Sequence, residues 1–185
     1  MRIIAGQARG VQLDAPKSIH VRPTQDRIRE ALFSILMPRL EDARFLDLFA
    51  GTGANGIEAL SRGAASAMFV DSDERSLQFI KRNLAKTSLK MKGHVRRLQL
   101  PEQLPKLAAD APFDIIFADP PYKFTQYEKL LQRISDDAML AAQGLVVIEH
   151  SRATRLPEST ECWTQFRQNT YGDTALSFYE RGREP

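Results

Sequence analysis

Cys162 is the only cysteine in the 185-residue chain. Without a second thiol, no intrachain disulfide and no multi-cysteine zinc centre can form, and no metal is expected. No apolar run reaches the roughly 18 residues needed to span a bilayer. The opening MRIIAGQARG has too short an apolar stretch for a secretory signal. These absences predict a cytoplasmic protein that makes no membrane contact. The chain also lacks internal repeats, low-complexity tracts and interdomain linkers, and with 43% hydrophobic and 26% charged residues it suits one well-buried core. Residues 1–185 are therefore expected to form a single domain and a monomer.

Excess charge is also scarce, at +3 overall, and its distribution says more than its size. Residues 1–30 carry six basic side chains (Arg2, Arg9, Lys17, Arg22, Arg27 and Arg29) against Asp14, Asp26 and Glu30, and the remainder of the chain balances. A basic arm over residues 1–24 on a neutral body suits an anionic partner, although a solvated surface arm gives the same count. Within the arm, IIAGQARGVQL places apolar residues around Gly6 and Gly10, a pattern for a short hairpin. A helix should follow Thr24, because Ile28, Ala31, Leu32, Ile35 and Leu36 recur at helical spacing before Pro38.

From residue 44 onward, short apolar runs alternate with helical stretches. RFLDLF leads to GIEALSRG, SAMFVD to ERSLQFIKRNLAK, and HVRRLQL to EQLPKLAA. FDIIFAD, YEKLLQRI and GLVVIEH continue the series, which marks an α/β fold with a mostly parallel sheet. WTQFRQNTYG and TALSFYER read as a closing antiparallel pair.

Two strand ends carry the chemistry. In DLFAGTGANG, glycines at the strand-to-helix turn let the backbone approach a ligand beside free helix N–H groups. Gly51, Gly53 and Gly56 also match the dinucleotide fingerprint, with Asp71 ending the next strand. Asp47, however, stands four residues before Gly51, where a carboxylate attracts an ammonium and repels a pyrophosphate. A zwitterionic amino-acid ligand with an adenosine fits better, with Asp71 on the ribose hydroxyls. The structural alternatives are that Asp47 caps the turn and Asp71 caps the next helix.

The second strand end is Asp119-Pro120-Pro121-Tyr122. Two prolines stiffen the loop, which suits holding a planar group in one pose. An exocyclic base amine is a poor nucleophile, since its lone pair is delocalised into the ring. Acceptors aimed at both amine hydrogens, the Asp119 carboxylate and the Pro120 carbonyl, favour the tetrahedral geometry that methylation needs, with Tyr122 stacked on the base. The alternative is a plain proline turn with a capping Asp.

These motifs, with RIIAGQARG and RPTQDRIREALFSIL, resemble the bacterial RsmD family over nearly the whole chain. The resemblance implies a Rossmann-like class I methyltransferase fold, its seven strands ordered 3-2-1-4-5-7-6 with the seventh antiparallel, behind an N-terminal hairpin and helix extension. It implies methylation by S-adenosylmethionine of a guanine N2 in small-subunit (16S) ribosomal RNA, the partner being that RNA or the small ribosomal subunit. It further implies that Asp47, Phe49, Gly51, Gly53 and Asp71 line the cofactor, that Asp119, Pro120, Pro121 and Tyr122 hold the amine, and that Thr24 and Arg22 lie near the cofactor's amino-acid end and the base. Arg22 also reads as a phosphate contact, with Arg2 and Arg9. Where the family carries a small polar or acidic residue followed by Ala against the adenine, this chain has Gln99-Leu100. The Gln99 side-chain oxygen can accept from the adenine amine and Leu100 can pack on the ring. The competing readings are an RNA-binding assembly factor that no longer turns over, a DNA adenine-N6 methyltransferase and a protein glutamine methyltransferase.

Overall fold

The apolar runs become strands because their side chains are taken out of water on both sheet faces. In β1 (Arg44–Leu48), Phe45, Leu46 and Leu48 are fully buried, each worth about 1.5–3 kcal/mol of burial. β2 (Ser66–Asp71) and β4 (Phe113–Ala118) show the same near-continuous burial, as parallel interior strands should. The computed structural model describes residues 1–16, 23–136 and 138–182, without the side chains of Pro23 and Thr24. The roles expected of Arg22 and of the Thr24 side chain therefore lie outside the described residues.

The remaining strands are β3 (Gly93–Arg97), β5 (Leu140–Ser151), β6 (Trp163–Tyr171) and β7 (Thr174–Arg181), and the seven lie in the order β3-β2-β1-β4-β5-β7-β6. Pairing is parallel for β1–β2, β2–β3 and β4–β5, and antiparallel for β5–β7 and β6–β7. This is the class I methyltransferase order. Among the described residues four α-helices accompany the strands: α1 (Pro23–Leu36), α2 (Ala54–Ser61), α3 (Glu74–Lys86) and α4 (Tyr127–Asp136).

Two compact units divide the chain at Arg97 and Leu98. In the first, α3 buries Leu77, Ile80 and Leu84 and opens on Asp73, whose carboxylate accepts the Arg75 N–H at 3.1 Å. The N-terminal arm folds back on itself as a short hairpin, with Gly6 and Gly10 at positive φ in its turn. Arg2 and Gln12 form an antiparallel β-bridge, the Ile3, Gly10 and Leu13 N–H groups bond across the arm to Val11, Ile3 and Met1, and donors between them turn to α2. Ile4 and Ala5 N–H groups reach the Glu58 carboxylate at 2.8 and 3.0 Å, and those of Gln7 and Ala8 reach Ser61. Glu58 is fully buried and also pairs with Arg62 at 2.7 Å.

In the second unit, β6 and β7 form the expected antiparallel pair. Trp163 anchors β6 by donating from Nε1 to the Leu131 carbonyl on α4 at 2.9 Å. The expected helix in EQLPKLAA is a 3-10 helix, Leu104–Asp110, with a proline in its first turn. Among the described residues no helix is long and apolar enough to cross a membrane.

Candidate functional site

Asp47 and Asp71 end up doing different work on the glycine loop. Asp47, 1% exposed, accepts the Gly56 N–H at 2.8 Å through Oδ2, satisfying one of the orphan donors in the first turn of α2. Asp71 accepts the Gly51 N–H through Oδ2 at 2.8 Å and the Asp73 N–H through Oδ1 at 2.9 Å. The cap of α3 is Asp73, so Asp71 is a tie between two strand-end loops. An ionised carboxylate has about four acceptor positions, and Asp71 spends two of them on these bonds.

The three glycines also separate into different roles. A Cβ on Gly56 would sit 2.3 Å from Phe69 Cε1, and one on Gly53 would sit 3.1 Å from Ile80 Cγ1. Both therefore serve the packing of α2 and its turn on β2 and α3. Gly51 has φ of 56°, and a Cβ there would meet nothing within 4 Å. The open face of the loop lies at Gly51. Just before it, Phe49 holds a left-handed φ of 60°, a costly conformation for a bulky residue and one that clusters at ligand sites.

Asn83 steadies the loop from behind. Fully buried, it donates to the Thr52 carbonyl at 2.9 Å and exchanges bonds with the Asp14 backbone at 2.7 and 3.0 Å. Neither Asn83 nor Glu58 stood out in the sequence, since an Asn or Glu in a helical stretch ordinarily faces water. Arg2 and Arg9 are exposed on the arm, and the Arg2 carbonyl accepts from the buried Arg29 guanidinium at 2.7 Å.

In the second unit, the proline loop borders a cavity of about 780 Å³. Asp119, Pro120 and Tyr122 line it, joined by Tyr127 of α4, Glu149 to Thr154 at and beyond the end of β5, and Asp173 and Thr174 at the β6–β7 turn. Pro121 lies outside the lining and turns the chain, its carbonyl accepting the Phe124 N–H at 2.7 Å. Tyr122 is 90% exposed, leaving one large ring at the rim with its faces open. Asp119 is reachable from solvent across the cavity mouth, yet protein crowds it, and this loss of hydration pushes its carboxyl up to about 6. Burial and the facing Asp119 charge both push the Tyr127 phenol upward.

His150 forms the floor through a chain of hydrogen bonds. Its Nδ1 lies 2.9 Å from the Ser151 carbonyl, which can only accept, so Nδ1 carries the hydrogen. Nε2 then accepts from the Ser177 hydroxyl at 2.9 Å, and the Gln168 amide donates to that hydroxyl at 3.0 Å. Burial lowers the His150 pKa, keeping the ring neutral. Glu149 and His150 were findable in the sequence as the polar end of the apolar run GLVVIEH, where ligands bind in doubly wound sheets. Gln99 and Leu100 do not line this cavity. The Gln99 N–H and carbonyl are engaged by Gln103 at 3.0 and 2.9 Å. Among the described residues no group of three or more His, Cys, Asp or Glu could hold a metal ion.

The family model described as Conserved hypothetical protein 95 matches residues 1–180. Ribosomal RNA small subunit methyltransferase D of Escherichia coli strain K12 is 38% identical over 181 residues, 98% of this chain and 90% of that protein. A solved Escherichia coli structure superposes with a TM-score of 0.84 at 35% identity, covering 100% of this chain and 99% of that one. A solved chain complexed with SAH shares the fold at 17% identity and TM-score 0.68, over 86% of this chain and 50% of that one. With matches that run from the N-terminal arm to the last strand, the chain belongs to the RsmD family.

Proposed function

We propose that this chain transfers a methyl group from S-adenosylmethionine to the exocyclic N2 amine of a guanine in small-subunit ribosomal RNA. The observation that carries the reading is the Asp119-Pro120-Pro121-Tyr122 loop, with its carboxylate and exposed ring bordering a cavity roomy enough to admit a base, in a chain of the RsmD family. The name of the Escherichia coli relative supports the ribosomal RNA substrate.

The glycine loop fits the cofactor. The open side of Gly51 leaves room for a ligand against the backbone, and Asp71 stands behind it to receive ribose hydroxyls. Asp47 attracts the ammonium end. Phe49 and Gly53 complete the turn, Gln99 and Leu100 serve the adenine, and Thr24 belongs near the amino-acid end. When bound, S-adenosylmethionine supplies an electrophilic methyl on a positively charged sulfur, so the protein mainly contributes alignment.

Alignment falls to the proline loop. The Asp119 carboxylate and the Pro120 carbonyl each accept one amine hydrogen, which localises the nitrogen lone pair and directs it outward. Pro121 stiffens the loop and Tyr122 stacks on the base. No strong base is needed, because the amine turns acidic once methylated and its proton passes to Asp119 or to water. Arg2, Arg9 and Arg22 of the arm grip phosphates. The chain works as a monomer and one domain, in the cytoplasm, with no metal.

The test is to incubate the purified protein with isotopically labelled S-adenosylmethionine and small-subunit ribosomal RNA, naked and assembled, from a strain lacking the methylase, then digest to nucleosides. Label should appear in N2-methylguanosine alone. Label in another nucleoside, or in none, would overturn the proposal.

A further inference from the structure

The balanced charge of the chain beyond residue 30 conceals a local concentration. Residues 74–97 hold eight lysines and arginines against one acid, Glu74, and every one of the eight cations is exposed. Seven units of net positive charge here, in a chain of +3 overall, leave the rest of the molecule net negative.

The cations form a ridge. On α3, Arg75, Arg82 and Lys86 recur at i, i+7 and i+11, one helix face, opposite the buried Leu77, Ile80 and Leu84. Eleven residues at a rise of 1.5 Å set the ends of that row about 16 Å apart. Beyond the helix the row continues through the 3-10 turn Lys90–Lys92 and into β3, the sheet's edge strand. It begins two residues from Asp73, at the end of the helix nearest the Asp71–Gly51 tie.

Local stability accounts for only part of this charge. Lys86 sits at the favourable C-terminal end of α3 and pairs with Asp14, and Arg97 pairs with Glu74 at 3.6 Å. Arg75 stands in the first turn of α3, where the helix dipole disfavours a cation. Among the described residues, Arg75, Lys90 and Lys92 have no ion-pair partner. Lys86, Lys90 and Lys92 crowd like charges at one end of the ridge, a repulsion that a polyanion would relieve.

We infer that this ridge binds the phosphate backbone of the substrate RNA away from the target nucleotide. The inference rests on the proposed function for the identity of the RNA. One strand of a nucleic-acid helix carries a charge about every 3.4 Å of axis, so the helical part of the ridge spans roughly five phosphates. A membrane surface fits less well, since an interfacial helix needs an apolar face turned outward. The apolar face of α3 is buried, and Met91, at 90% exposure, is the one large apolar side chain fully presented along the ridge.

The experiment compares wild type with the triple variant Arg75→Gln, Lys90→Gln, Lys92→Gln, all at exposed positions. Affinity for a small-subunit ribosomal RNA fragment is measured across a salt series, beside S-adenosylmethionine affinity and thermal stability as folding controls. The slope of log affinity against log salt should shrink by about 0.7 to 0.9 for each lost contact, a total of roughly 2 to 3. KM for RNA should rise with kcat retained. An unchanged slope overturns the ridge, whether or not the wild type methylates. Loss of binding to phosphatidylserine vesicles with RNA affinity intact overturns it in favour of a lipid surface. A shrunken slope in a protein that methylates no RNA supports the ridge as a polyanion site and sinks the proposed function alone.

Discussion

The Asp71 carboxylate holds the Gly51 backbone N–H at 2.8 Å, fastening the one open glycine of the loop to the end of the neighbouring strand. This bond gives Asp71 a structural duty that its place at a strand end did not announce, and it separates two consequences of removing it. Asp71→Ala should weaken S-adenosylmethionine by about 1.5 to 3 kcal/mol through lost charge-assisted bonds to the ribose. The lost tie to Gly51 should cost stability only about 1 kcal/mol. Calorimetric titration and a denaturant midpoint read the two effects independently. A drop in midpoint with unchanged cofactor affinity would reduce Asp71 to a loop tie.

Gly56→Ala tests the division of labour among the glycines. Alanine normally stabilises a helix relative to glycine by about 0.5 to 1 kcal/mol. Here the added methyl would lie 2.3 Å from the ring of Phe69, which is itself fully buried. Overpacking of that kind costs about 1 to 3 kcal/mol, so the variant should be less stable than wild type by chemical denaturation. Phe69→Leu in the same background should recover part of the loss. A stabilised Gly56→Ala protein would show that Phe69 yields freely.

The strand series and the two strand-end motifs were legible because each depends on short-range pattern: apolar runs, glycines at turns and prolines in a loop. The sheet order followed only from the family resemblance. What escaped the sequence depends on contacts between distant residues. Glu58 lies in GIEALSRG like a solvent-facing helix residue, and it is buried because the arm, 53 and 54 residues earlier, lays two N–H groups on its carboxylate. The hairpin expected around Gly6 and Gly10 is present, but its docking on α2 is a contact of the same long-range kind. The cavity's far walls were also hidden, since Asp173 and Thr174 reach Asp119 and Tyr122 only through the β5–β7 pairing. The ridge on α3 stayed hidden because acids elsewhere in residues 31–185 cancel its cations in the net charge of that stretch.

Asp119 supplies the prediction that bears most directly on chemistry. Its carboxyl stands near 6, raised by loss of hydration, and the proposed role requires the ionised form to accept an amine hydrogen. As pH falls through 6 the carboxylate is protonated and the acceptor is lost. Thus kcat/KM should decline on the acid side with unit slope and an apparent pKa near 6, a profile that reports the free enzyme. Tyr127 faces the same cavity from α4, Glu149, His150 and Arg152 from the end of β5, and Asp173 from the β6–β7 turn. Of these, His150 is the group that could imitate the limb, since its pKa lies below 6.5. Asp119→Asn separates the two. It should lower turnover by about a hundredfold or more while leaving cofactor affinity near wild type, because the lost bond is strongest in the transition state. Its residual activity should also be flat through pH 6. A folded-state carboxyl pKa raised above the unfolded value means that ionisation opposes folding, so stability from this group is lost as pH rises through 6. The Asn variant should accordingly be more thermostable than wild type at pH 8, with the advantage gone at pH 4. An acid limb that survives in Asp119→Asn would assign it to His150 and remove Asp119 from the amine.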